Sequence, residues 1–302
     1  MLQMELPCMR DQVFIDECMS YVSSRMEQEP PAALAQLAWA LSFCRVIPET
    51  QWVDRLLGSM TAPAEQQPEV SRLGPDAVLD LVQALKAWGI QTVRPVLTPP
   101  RWQALLSACD EGRRQRMFPP TDAARLLGSL CALSAGQGGG LPLLSQQQQP
   151  LTDAWITDFA EEALRLQQST WAAEPRFWAD TQQLVNEDSP VDQISELADL
   201  TIEPGAIAAL LSGLVARGRG MPAGLQDRST QLLGMIALQQ EDMTSLEDLT
   251  QVFVAIYRLK LRPPVPWLEL MQHVLTARQQ LDDGDPALKP AISWLDALRR
   301  LK

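Results

Sequence analysis

Histidine occurs once in this 302-residue chain, at His273, and tyrosine twice. A Ser-His-Asp triad would have to run through His273, and no G-x-S-x-G nucleophile elbow is present. The five cysteines, Cys8, Cys18, Cys44, Cys109 and Cys131, are odd in number and contain no C-x-x-C pair. That excludes a zinc site at ligand spacing and argues for reduced, buried thiols over a disulfide framework. No apolar run approaches the roughly eighteen residues that a membrane helix needs, so no membrane insertion is expected. Strand-like alternation of β-branched residues is nearly absent, which leaves an all-α reading. The first residues carry acids early and resemble neither a signal nor a transit peptide; any such peptide would lie upstream.

Positive charge is scarce as well. The formal net charge is −12, with Lys only at 86, 260, 289 and 302. Unspecific binding to a polyanion is disfavoured, because that affinity rests on neutralising phosphates. Basic residues gather in three spots: Arg113, Arg114 and Arg116; Arg258, Lys260 and Arg262; Arg299, Arg300 and Lys302. The stretch Gly136–Gly140 lacks the G-K-[ST] ending of a phosphate loop, and Gln146–Gln149 beside it marks low complexity. Acidic pairs at Glu161-Glu162 and Glu241-Asp242 read as solvated helix surface. No catalytic residue, no metal ligand set and no cofactor site is expected.

What the chain does contain is repetition. Leu34, Leu37, Ala40-Leu41, Cys44, Pro48 and Trp52 match Leu249, Val252, Ala255-Ile256, Leu259, Pro263 and Trp267 at the same offsets. With Ala40 or Ala255 as position zero, apolar residues fall at −6, −3, +1 and +4, one face of a helix. The small residue at zero allows a neighbouring helix to come close. The proline lacks an amide donor and is tolerated in a first helical turn, so it closes one helix and opens the next. The Trp then sits about one turn into the second helix. Looser copies centre on Ala84, Ser129 and Gly213. The Ser129 to Gly213 distance is two periods, so a degenerate unit or an insertion lies between them.

The expectation is an α-solenoid of helix-turn-helix repeats with a period of about 42 residues. Residues 1–135 hold a partial unit at 1–26 and units near 30–62, 74–110 and 119–135. A Gly/Gln-rich insertion spans 136–150. Further repeats fill 151–302, with a degenerate or inserted stretch near 169–200 and a partial unit at 284–302. The recurring Trp52, Trp102, Trp155 and Trp267 are read as wedges between repeats. Trp39 and Trp88 lie outside that pattern and are better placed to meet a ligand.

The L-x-x-[AL]-x-[AS]-L first helix followed by P-P-x-x-W or P-x-x-x-W resembles the octotricopeptide repeat family of green algae. The resemblance rests on Leu34 to Leu57 and Leu249 to Leu270, and more loosely on Pro99 to Leu106 and Pro119 to Leu133. Similar repeats occur in the Fas-activated serine/threonine kinase-like organellar proteins. The resemblance implies a chloroplast or mitochondrial protein that binds single-stranded RNA, an organellar transcript or rRNA, in its stability, processing or translation. It also allows for other proteins of a ribonucleoprotein complex as partners. Two or three side chains per repeat would read one base. Position −4 holds Gln36, Asp80, Arg125, Ala209 and Gln251; of these Gln36, Asp80, Arg125 and Gln251 are the candidate base readers. Arg113, Arg114, Arg258 and Lys260 are candidate phosphate contacts. The alternative is a non-catalytic scaffold that holds other proteins, consistent with the acidic balance and with the long faces that solenoids offer.

Overall fold

The structure, a computed structural model, describes residues 12–61, 73–135, 151–166, 202–238, 245–281 and 285–300. The Gly/Gln-rich stretch 136–150, the stretch 169–200, Glu241-Asp242 and Lys302 lie outside the described residues. Among the described residues every regular element is a helix. The chain divides into two compact units, Met1–Met117 and Phe118–Lys302.

The first unit contains α1 (Gln12–Arg25), α2 (Pro31–Phe43), α3 (Thr50–Thr61), α4 (Pro75–Trp88), α5 (Ile90–Val93) and α6 (Pro99–Arg114). Proline occupies the first turn of α2, α4 and α6, where its missing N–H costs nothing. Helix α3 buries Trp52, Val53, Leu56, Leu57 and Met60, a single stripe at three- and four-residue spacing. Each fully buried aliphatic side chain of this kind contributes roughly 1.5–3 kcal/mol. Helix α2 lies chiefly against α4.

The second unit contains α7 (Pro120–Ser134), α8 (Asp153–Ala163), α9 (Pro204–Arg217), α10 (Ala223–Asp227), α11 (Ser229–Leu238), α12 (Leu246–Leu259), α13 (Val265–Leu281) and α14 (Leu288–Arg299). Here α7 packs on α9, α9 on α12, and α12 on α14. Behind them α8 meets α10, and α11 meets α13. Helices α7 and α9 touch backbone to backbone: a Cβ built on Gly213 would overlap the Gly128 carbonyl oxygen and stand 2.7 Å from its carbonyl carbon. No helix intervenes at that contact between the copies centred on Ser129 and Gly213.

The recurring tryptophans sit in the first turn of second helices. Trp52, Trp102 and Trp267 are buried, and Trp155 is half-buried. The Trp267 Nε1–H donates to the Leu233 carbonyl at 2.9 Å, linking α13 to α11 of the preceding hairpin. Among the described residues, four helices end through a cation with positive φ: Arg45, Arg116, Arg165 and Lys260. Val46, Met117 and Leu261 then donate back to Leu41, Gly112 and Ile256, closing the exposed carbonyls of the last turn.

Candidate nucleic-acid interface

Positions −4, −1 and +3 of a repeat lie at nearly one helical phase, because residues three, four and seven apart stack along one side. In α2 these positions hold Gln36, Trp39 and Phe43. Gln36 is exposed, and Trp39 and Phe43 are 41% and 70% exposed. Their rings stack on each other, with centroids 5.5 Å apart and planes 18° from parallel. Large aromatics normally go inside, so an exposed stacked pair on a helix whose opposite side is the core is an informative departure. The other copies hold small or charged residues at Phe43's position: Ala87, Ala132, Ala216 and Arg258.

In α4, Asp80 is half-buried at the same phase. In the second unit, Gln251 and Arg258 lie exposed seven residues apart on one side of α12, with half-buried Val254 between them. Arg125 behaves differently. Its guanidinium pairs with Glu203, the residue before α9, and approaches Asp122 at 3.7 Å. The Glu203 N–H in turn donates to Thr121 Oγ1 at 3.1 Å. Arg125 is therefore part of a clamp between α7 and α9, and a base would have to share it with two carboxylates. Ala209 presents its carbonyl to Gly128 in the same contact.

The candidate phosphate contacts fall at helix ends. Arg113 pairs with Asp110 at 3.4 Å, and the exposed Arg114 Nε–H donates to the Asp110 carbonyl at 3.2 Å. Arg258 and Lys260 are exposed at the end of α12, and neither forms an ion pair among the described residues. Gln36 and Asp80 belong to one unit, and Arg125 and Gln251 to the other.

Of the two tryptophans outside the repeat pattern, Trp39 is exposed and Trp88 is not. Trp88 is 3% exposed and meets Trp52 edge to face at 6.1 Å. Its place is the core, at the end of α4 against Trp52 of α3. Phe43 is the residue that a search for repeated features passes over. The signal for it is a break in the repeat, an aromatic four residues after Trp39 where other copies carry Ala or Arg.

His273 is exposed on α13. Among the described residues no group of three or more His, Cys, Asp and Glu side chains is placed to hold a metal ion. Among them, too, no helix is long and apolar enough to cross a membrane. Burial pushes the thiol of Cys131 up to about 12 and that of Cys109 higher still, which makes both poor nucleophiles. Comparison with known proteins gives no match to a family model, to a curated protein or to a solved structure.

Proposed function

We propose that this protein binds single-stranded RNA through the exposed side of its first helices, stacked as an α-solenoid with a period of about 42 residues. The observation that carries this reading is the stacked, exposed Trp39–Phe43 pair beside Gln36. Unpaired bases stack on aromatic rings, and an amide side chain next to the platform supplies both a donor and an acceptor for a base edge. Double-stranded nucleic acid offers no free base face to such a platform. A net charge of −12 leaves little phosphate attraction, so stacking and edge recognition carry most of the affinity. The resemblance to the octotricopeptide repeats points to organellar transcripts or rRNA as the ligand, in RNA stability, processing or translation. A scaffold for other proteins is the second reading, and a cleft in the second unit lined by Leu261, Val265, Leu298, Arg262 and Arg299 favours it.

The test is titration of randomised single-stranded RNA with the protein at about 50 and 200 mM salt. Saturable binding with a shallow salt dependence is expected. Double-stranded RNA of the same length should bind poorly. Equal binding by a Trp39→Ala, Phe43→Ala double variant that remains folded would refute the proposal.

A further inference from the structure

The two basic spots that close the sequence are 37 residues apart between Arg262 and Arg299, yet they line one cleft. Its volume is about 390 Å³. The floor is aliphatic, Leu261, Leu268 and Leu298, and Arg262 and Arg299 also line the cleft. Leu261 and Leu298 are buried, whereas Val265 is 65% exposed at the mouth. One acid, Glu269, also lines it, and Pro263 completes the wall. Among the described residues neither arginine forms an ion pair, and the Arg299 Nη1–H donates to the neutral Gln272 Oε1 at 3.1 Å. By contrast Arg101, Arg113, Arg125, Arg217 and Arg228 each have a carboxylate partner. In a chain with 37 acids and 25 bases, cations that face a cleft with none of those acids paired to them are available to a visitor.

We propose that this cleft docks an acidic, amphipathic segment of a partner protein, with an aliphatic side chain on the floor and carboxylates on Arg262 and Arg299. The chemistry selects that occupant. A nucleobase stacks on aromatic rings, and the lining has none. A bare phosphate would use the arginines and leave the apolar floor and Val265 uncovered. A peptide with Leu at helical spacing and Glu or Asp beside it satisfies both, since arginine pairs with carboxylates in a planar two-bond fork. The cleft volume accommodates one or two side chains, with the remaining peptide lying across the exposed Arg262 and Arg299.

Fluorescence anisotropy of the full chain tests this with a labelled peptide of about fifteen residues, four helical turns, carrying Leu every third or fourth position and Glu between. Analogues with Lys for Glu and with Ser for Leu, and a single-stranded oligouridylate, serve as competitors. Saturable binding is expected for the acidic Leu peptide alone. It should weaken at least about tenfold, 1.4 kcal/mol, in an Arg262→Glu, Arg299→Glu double variant and in Val265→Asp. These positions are exposed or on the rim, and circular dichroism checks that each variant folds. The Trp39→Ala, Phe43→Ala variant should bind the peptide like the parent, which separates this site from the RNA reading. No saturable binding, equal binding of the Lys analogue, or no loss in the double variant each overturns the proposal. Displacement by oligouridylate that depends on the same two arginines overturns it in favour of a nucleic-acid site.

Discussion

Gly213 of α9 rests directly on the backbone of Gly128 of α7, with no side chain between the two helices. Replacing Gly213 by Ala would gain about 1 kcal/mol of helix propensity. The added methyl would meet main-chain atoms that no rotamer change can move, and overpacking of that kind costs about 1–3 kcal/mol or more. Clash wins over propensity, and Gly213→Ala is expected to destabilise by about 2 kcal/mol, read from urea unfolding with an unchanged m-value. Gly205→Ala is the control. Its Cβ would come within 3.2 Å only of the Asp248 carboxylate, which can rotate away, so a change within about 0.5 kcal/mol is expected. Similar losses in the two variants would show that the α7–α9 contact is not as close as described.

The buried guanidinium of Arg217 donates to the Leu151 carbonyl at 3.0 Å and pairs with the Asp153 carboxylate. Arg217 is 3% exposed and Asp153 is 61% exposed at the side chain. Removing the acid strands a cation in the core, whereas removing the base takes the buried charge away with it. Asp153→Ala is therefore expected to cost about 2–3 kcal/mol, and Arg217→Met less than that. The order of the two denaturation midpoints checks this, and the reverse order would sink it.

Trp39 and Phe43 are exposed, so their loss should leave stability within about 1 kcal/mol. Affinity for single-stranded RNA should fall by about 1–3 kcal/mol for each base that loses its ring. Trp88→Ala offers the opposite pattern, a core truncation costing about 3–5 kcal/mol of stability. A Trp39→Ala variant with unchanged RNA affinity and a large loss of stability would place that indole in the fold instead.

The buried thiols give the fold a pH dependence with a definite sign. In the unfolded chain a cysteine ionises near 9.0, while burial holds Cys131 neutral to about 12 and Cys109 beyond it. Below the unfolded value both states keep their protons and the full stability is present. As pH rises through that value toward the folded one, only the unfolded chain releases protons, and stability falls. Denaturation midpoints taken under reducing conditions between about pH 8 and 11 should decline more steeply for the parent than for a Cys109→Ala, Cys131→Ala variant. Parallel slopes would count against it.

The helix periods, the prolines that open helices and the buried Trp52, Trp102 and Trp267 were legible because each follows from local spacing. Facing partners were not. Ser129 aligns with the small residue of the repeat, but its neighbour Gly128 makes the close approach, and which of two adjacent residues points across depends on helix rotation. Arg125 read as a candidate base reader, because Glu203, which pairs with it, comes 78 residues later. Trp88 and Trp39 look alike in sequence; burial separates them. Arg262 and Arg299 formed two unrelated clusters until the turn after α12 and the last turn of α14 came together.

The bond from Trp267 to the Leu233 carbonyl has a consequence for how the second unit comes apart. The indole is fully buried and also meets Phe253 edge to face at 5.9 Å, so one side chain ties α13 to its own hairpin and to the one before. Fraying of the α12–α13 pair alone would break this bond and pull a fully buried indole out of the core. Cooperativity is thereby carried across the joint between neighbours, and slow-exchanging amides of α11 and α13 should share one opening free energy.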